Sequence, residues 1–348
     1  GRGFTSTAAV AVDPSAGGPV VYVAAADGYL YALRARDGST VWRSLVVHPG
    51  TTENAGYNWG SPTVVDGRVY MGISSQCDHP LVRGGVREYD QAAGALLRTY
   101  WSLPKGSTGG SVWTSTASDG TSVWATVGNA DPTGTQPGDS FSIVRLDGST
   151  LQRLDRWRAP VALDSDLDWG SSPTLFNANV AGVAADLVGA CNKNGTFYAL
   201  ERGALAKGPV WHRKIGEPEG SGGICLAAAI WDSMDKRLVV ASNRTIIGGQ
   251  TYPGGVRALN PATGHPIWER GLSGGPVLGS PSMDGSGVIA AATFSGAKNA
   301  LYLINGSTGE VLNTISLDSG AFAQPIFAGP YVFVAPKLGG LFAYQPSS

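Results

Sequence analysis

A repeat with a period near 55 residues constrains this chain more than any other feature. One phrase, an apolar or aromatic strand, a turn rich in Gly, Asp or Asn, and a second strand, occurs at Tyr31–Trp42, Val86–Gly94, Ile143–Gly148, Tyr198–Trp211, Val256–Trp268 and Leu301–Gly309. A seventh copy, Leu341–Tyr344, is cut short by the C-terminus. A second phrase precedes each copy: Trp59-Gly-Ser-Pro62, Trp113-Thr-Ser115, Trp169-Gly-Ser-Ser-Pro173 and Leu278-Gly-Ser-Pro281, with looser versions at Phe4, Cys225 and Phe322. From Phe4 the steps between these phrases are 55, 54, 56, 56, 53 and 44 residues. A period of this size holds about four strands of 5–6 residues with their turns. Four-stranded units repeated along a chain are the blades of a β-propeller. The expected fold is therefore all-β: a single seven-bladed propeller over residues 1–348, with four-stranded antiparallel blades. Its last blade lacks the outermost strand, which residues upstream of Gly1 are expected to supply.

Composition agrees with the repeat. Gly (50) and Pro (21) together make a fifth of the 348 residues, against about 12% in an average chain. Neither residue suits a helix interior. Hydrophobic residues are still 43% of the chain, with 10 Trp, 12 Tyr and 9 Phe, enough for a large core. Lys and Arg (25) balance Asp and Glu (26), so no basic face for nucleic acid is suggested. No apolar run reaches the ~20 residues of a membrane span. The chain begins at Gly1 without Met, which reads as a mature or trimmed product.

The repeated aromatics divide into two sets. Trp42, Trp211 and Trp268 fall late in their units and are expected to pack between blades. Phe4, Trp59, Trp113, Trp169 and Phe322 open the innermost strands. They are expected to form a broken ring at one channel mouth, either as packing or as a surface for a flat ligand.

Polar chemistry gathers near that mouth. Asp164, Asp166 and Asp168 stand just before an inner strand. Acids so close raise one another's pKa, share a cation, or simply form a solvated loop. Lys193, in Cys191-Asn-Lys-Asn-Gly195, lies in the loop between the second and third strands of its blade, which shares a face with the entrance to the first strand. Asn129 occupies the equivalent loop one blade earlier, and Cys77-Asp78-His79 one blade before that. An acid, an amide, a cation and an aromatic floor on one face make a candidate ligand site.

These phrases resemble the pyrroloquinoline quinone (PQQ) dehydrogenases, in particular the polyvinyl-alcohol-dehydrogenase-like branch. Val82–Asp90 is similar to that family's RG-x-V-x-A-x-D strand, and Gly109–Trp113 to the segment whose Trp lies beneath the quinone. Val127–Pro132 with Gln136–Asp139 looks like its GNP…RPGD. Asn192–Leu200 looks like its KNG-FYVLD phrase, and Asp166-Leu-Asp168 falls at its WDYD. The resemblance implies a cofactor site of Trp113, Trp59, Trp169, Lys193 and Asn194. It implies Ca²⁺ on Asn129, Asp166 and Asp78, with Asp166 as proton acceptor and Lys193 stabilising charge on the quinone oxygen. The implied activity is oxidation of an alcohol, secondary or polymeric, outside the cytoplasm. Electrons would pass to a separate acceptor such as a cytochrome or a quinone.

The chain also departs from that family. It has no adjacent-cysteine pair, carries Trp59 where the family often has Arg, and offers only Asp78, beside His79, where the family has a Glu ligand. A non-catalytic propeller that binds a protein or small ligand at the channel mouth is the alternative. Of the three cysteines, Cys191 and Cys225 are expected at the same mouth in neighbouring blades, which allows either a disulfide or two buried thiols.

Overall fold

A computed structural model describes residues 4–48, 56–78, 81–131, 137–220, 224–295 and 298–346. Of the residues singled out above, His79, Pro132 and Gln136 lie outside these. The fold is an all-β, seven-bladed propeller of antiparallel blades. Helix among the described residues is limited to two three-residue turns of 3₁₀ type, Pro14–Ala16 and Leu205–Lys207. Among the described residues no helix is long and apolar enough to cross a membrane. By internal contacts the chain comprises two compact units, residues 1–173 with 204–207, and residues 174–203 with 208–348.

The first unit holds three blades. Blade 1 is Ala9–Asp13, Gly18–Ala24, Tyr29–Arg34 and Thr40–Leu45. In blade 2, the short strands Gly56–Tyr57 and Thr63–Val65 both pair with Arg68–Ser75, followed by Gly85–Asp90 and Leu96–Trp101. Blade 3 is Ala117–Ser118, Ser122–Thr126, Ser142–Asp147 and Arg153–Arg158. The second strand of blade 3 is buried throughout, while the outermost strand of blade 2 is mostly exposed. Burial on both faces explains continuous apolar runs such as Val123-Trp-Ala125.

The second unit holds four blades. Blade 4 is Thr174–Val180, Val183–Cys191, Thr196–Glu201 and Pro209–Lys214. Blade 5 is Ile230–Asp232, Arg237–Ser242, Gly254–Leu259 and Pro266–Leu272, with a hairpin, Thr245–Ile247 and Gln250–Tyr252, between its second and third strands. Blade 6 is Ser282–Met283, Val288–Ala292, Asn299–Asn305 and Val311–Leu317. Blade 7 has three described strands, Ile326–Ala328, Tyr331–Val334 and Phe342–Tyr344.

Both repeated phrases now have physical reasons. In the first phrase, the outer-strand Trp of one blade packs on a turn glycine of the next. The Trp42 indole donates to the Gln91 carbonyl at 2.9 Å, Trp211 to Pro261 at 2.8 Å and Trp268 to Gly306 at 2.8 Å. A Cβ on Gly94, Gly264 or Gly309 would stand 2.4–2.5 Å from the corresponding ring. Blade 2 carries Arg98 at the Trp position, and the blade 3 turn carries Leu151 at the Gly position. At this junction both the indole and the glycine are absent.

In the second phrase, the serine links inner strands. Ser61 Oγ accepts from the Thr7 amide at 2.9 Å, Ser115 Oγ from Ser61 at 2.9 Å and Ser172 Oγ from Ser115 at 3.0 Å. In the second unit, Ser280 Oγ accepts from Ala228 at 3.0 Å. These hydroxyls satisfy amides at the inner ends of neighbouring blades.

Candidate functional site

In the first unit, loops of blades 2 and 3 and the segment preceding Pro173 form one hydrogen-bonded assembly. Asp168 is its centre and is only 1% exposed. Its Oδ2 accepts from the Trp113 indole at 3.1 Å and from the Asn129 backbone amide at 3.2 Å. Gly128 makes room for it: a Cβ there would stand 2.9 Å from the same oxygen. The Gly128 amide donates to the Ser111 carbonyl at 2.7 Å, and the Asn129 carbonyl accepts from Gly110 at 2.7 Å. Trp113 is half-buried, with its ring held at one edge by a carboxylate. A plane fixed in this way is suited to stacking against a flat ligand.

Trp59 and Asp78 join the same assembly through Ser75. The Trp59 indole donates to the Ser75 carbonyl at 2.9 Å. Ser75 Oγ donates to Asp78 Oδ1 at 2.7 Å, and the Ser75 amide donates to Ser111 Oγ at 3.2 Å. Cys77 and Asp78 both have left-handed backbone, with φ of 51° and 57°. Such strain at non-glycine residues costs about 1–3 kcal/mol each and clusters at functional sites.

Asp166 and Trp169 flank Asp168 in the chain. Asp166 is exposed, and it is Asp168, two residues on, that reaches Trp113 and Asn129. Trp169 offers no open face: it is 0% exposed and stands edge-on to Trp157, with ring centroids 6.1 Å apart. Asp164 and Asp166 are exposed, whereas Asp168, Trp169 and Gly170 are all buried, so the chain turns inward at Asp168.

The second unit carries the Lys193 loop. Cys191 and Cys225 form a disulfide, with Cα atoms 5.7 Å apart, joining the strand before Lys193 to the segment that leads into blade 5. Cys77 is a free, exposed thiol. Lys193 is 8% exposed, and its ammonium lies 3.6 Å from Glu219 Oε2. The Glu219 amide also donates to the Lys193 carbonyl at 2.9 Å. Any anion that Lys193 meets must share it with this carboxylate. Asn194 closes the hairpin: its Oδ1 accepts from the Thr196 amide and its Nδ2 donates to Tyr198 Oη, both at 2.9 Å.

The sequence reading missed Asn243. It is 2% exposed, and neither end of its amide has a hydrogen-bond partner among the described residues. The buried Asn192 Nδ2 is in the same condition. Buried amides are almost always paired, so two unpaired ones near Lys193 mark polar space for a ligand or water. In the chain Asn243 follows the second strand of blade 5, as Asn129 follows that of blade 3, but the position alone did not mark it out.

In the first unit Trp113 supplies a held plane of the kind a flat ligand stacks on. In the second unit Asn192, Lys193 and Asn243 supply donors of the kind an anionic ligand needs. Among the described residues no three acidic, His or Cys side chains come together as a metal cage. Asp78 Oδ1 accepts from Ser75 Oγ, and Asp166 is exposed.

Comparison with known proteins agrees with the fold. A family model described as outer membrane protein assembly factor BamB matches residues 4–247 and 253–347. Quinohemoprotein alcohol dehydrogenase ADH IIB of Pseudomonas putida is 27% identical over 224 residues, which cover 53% of this chain and 31% of that protein. The match thus spans about a third of that relative's length. Among solved structures, quinohemoprotein alcohol dehydrogenase ADHIIG of Pseudomonas putida HK5 superposes with a TM-score of 0.73 at 18% identity, over 92% of this chain and 61% of its own. BamB of Moraxella catarrhalis superposes with a TM-score of 0.59 at 16% identity, over 98% of this chain and 83% of its own.

Proposed function

The chain belongs to the family described as outer membrane protein assembly factor BamB, and on that premise we propose that it is a quinoprotein-like member that binds PQQ and oxidises an alcohol. The observation that carries this reading is the buried Asp168 carboxylate joining the Trp113 indole to the Asn129 loop. Tethering by an acid is more than ring packing requires. It gives a stacking plane and a proton acceptor in one unit, which is what hydride abstraction from an alcohol needs.

PQQ, when bound, supplies an electrophilic quinone carbonyl that accepts hydride. The chain supplies the rest. Trp113 holds the plane against rotation. Asp168, oriented by its two donors, takes the hydroxyl proton as hydride leaves the carbinol carbon. Lys193, shared with Glu219, offsets negative charge. No step is assigned to Ca²⁺, although Asn129 and Asp78 remain the oxygen donors to test. The substrate class is an alcohol, and a secondary or polymeric one follows the resemblance in sequence. The buried Cys191–Cys225 disulfide supports an oxidising, extracytoplasmic location.

The alternative is a non-catalytic propeller that binds a protein or small ligand at its channel mouth. The Lys193–Glu219 ion pair favours it, since a lysine already matched to an acid needs no quinone. Absorbance titration with PQQ, with and without Ca²⁺, separates the two. The enzyme reading expects saturable binding, dye reduction by alcohols, and loss of binding in Trp113→Ala. Glu219→Gln should tighten binding, because the Glu219 carboxylate then no longer competes for the Lys193 ammonium. No saturable spectral change with or without Ca²⁺ would leave the binding propeller standing.

A further inference from the structure

The Asn129 loop leaves the second strand of blade 3 and returns to the third through a limb of residues 137–141. That limb is closely fitted. Phe141 is fully buried and has a left-handed φ of 60°, although it is not glycine. A phenylalanine stays in that region only where its surroundings impose it. Gly138 has a φ of 49°, and a Cβ there would stand 2.6 Å from the Ser102 carbonyl oxygen.

The outer strand of blade 3 grips this limb. Arg156 Nη1 donates to the Gly138 carbonyl and to Asp139 Oδ1, both at 2.6 Å. Arg158 donates from Nη2 to the same Gly138 carbonyl at 2.6 Å and from Nε to the Ser140 carbonyl at 3.1 Å. On the other side, the Tyr100 hydroxyl donates to Asp139 Oδ2 at 2.5 Å, and the Asp139 amide donates to the Ser102 carbonyl at 2.9 Å. Arg153 reaches only the Asp139 carboxylate, at 3.0 Å. Of the three guanidiniums, two therefore hold the backbone of the limb and one does not.

The limb in turn meets the Asp168 site. The Phe141 amide donates to the Gly128 carbonyl at 3.1 Å, and its carbonyl accepts from Ala159 at 2.9 Å. At Gly128 a Cβ would press on Asp168 Oδ2, and the next amide, that of Asn129, donates to this oxygen. Trp113 donates to it too. A hold on Gly138 and Ser140 thus passes through Phe141 and Gly128 to the amide that orients the carboxylate.

We propose that Arg156 and Arg158 are positioning residues for the Asp168–Trp113 site, holding the limb whose Phe141 places the Gly128–Asn129 backbone. Their effect on turnover rests on the oxidising function proposed above, whereas their hold on the Asp168 hydrogen bonds does not. Reacting groups displaced by a fraction of an ångström lose much of their rate, so a clamp remote from the chemistry still matters to it.

The test reads hydrogen exchange of indole N–H groups by NMR on the full chain without ligand. Loss of a signal in Trp113→Phe identifies the Trp113 indole. The Trp211 indole, bonded to the Pro261 carbonyl in the second unit, is identified in the same way and serves as reference. Arg156→Met with Arg158→Met should speed exchange at Trp113 at least about tenfold and leave Trp211 within about twofold. Arg158→Met alone should act in the same direction, less strongly, and decides the matter if the double variant does not fold. Arg153→Met removes an equal charge without touching the limb backbone, and should change Trp113 less than about twofold. Unchanged exchange at Trp113, an equal rise with Arg153→Met, or an equal rise at Trp211 overturns the proposal. In the PQQ-loaded chain, dye reduction by the double variant should show kcat about tenfold lower with KM within about twofold. If the unsubstituted chain reduces no dye, the oxidising reading falls and the exchange result still decides the clamp. If it does, and the double variant turns over at the same rate, only the positioning role falls.

Discussion

Replacing Asp168 tests both the structure of the site and its chemistry. Alanine leaves the Trp113 indole and the Asn129 amide without their acceptor. A hydrogen bond to an ionised group is worth about 1.5–3 kcal/mol, and a buried donor left unpaired costs about 1–3 kcal/mol. Two such donors give an expected loss of about 3–5 kcal/mol for Asp168→Ala, measured by urea unfolding followed through tryptophan fluorescence. Asparagine keeps an oxygen for the same donors but loses the charge, so its cost should be about 1–2 kcal/mol. Its effect on chemistry should be larger, because an amide cannot accept the substrate proton. Asp168→Asn should lower kcat about 10²–10⁴-fold while changing PQQ affinity by less than tenfold. Asp166→Asn, at an exposed position, should change neither by more than about twofold. If Asp166→Asn abolishes turnover and Asp168→Asn does not, the reasoning from burial and hydrogen bonding is wrong. An unchanged unfolding midpoint in Asp168→Ala would show that the two hydrogen bonds carry no weight.

Four further outcomes follow from backbone geometry, packing, cross-linking and charge. Gly264→Ala combines a left-handed φ of 68° with a Cβ 2.4 Å from the Trp211 ring, and should cost about 2–4 kcal/mol. Gly329→Ala, with a φ of 56° and open space around it, should cost only the backbone share of about 1 kcal/mol in the same unfolding assay. Removing the Cys191–Cys225 disulfide, which closes a separation of 34 residues, should cost about 3–4 kcal/mol by the loop-closure argument. Calorimetry of the Cys191→Ala/Cys225→Ala chain checks this value. Burial acts to raise the Asp232 pKa, but the hydrogen bond and charge of Arg237 leave it lowered overall. A lowered folded pKa contributes stability above the unfolded value of about 4, and that stability is lost as pH falls through the folded pKa. Asp232→Asn should therefore flatten the acid limb of stability below about pH 4, as read by thermal melts.

Much of this protein was determined by its sequence alone. A period near 55 residues with four strands per unit leaves few folds other than a propeller, because each unit must bury its faces against a neighbour of the same kind. The pairing of turn glycine with outer Trp was legible as a repeated phrase, since identical local packing needs identical residues. The loop positions of Asn129, Asp78 and Lys193 followed from strand counting. Only the tertiary structure decided which acid is buried and hydrogen-bonded. Asp166 and Asp168 are the same residue type two positions apart, and spacing alone cannot say which one meets an indole and an amide from another blade. The same holds for Trp169, whose place in the aromatic frame gave no sign that Trp157 covers it. Asn243 is an ordinary polar residue in sequence and stands out only when its buried amide is seen to lack partners. The ion pair of Lys193 with Glu219 spans 26 residues and depends on how the loop after blade 4 returns. Local pattern sets which strands form and where loops emerge. Burial and pairing among those loops depend on long-range contacts that the pattern does not encode.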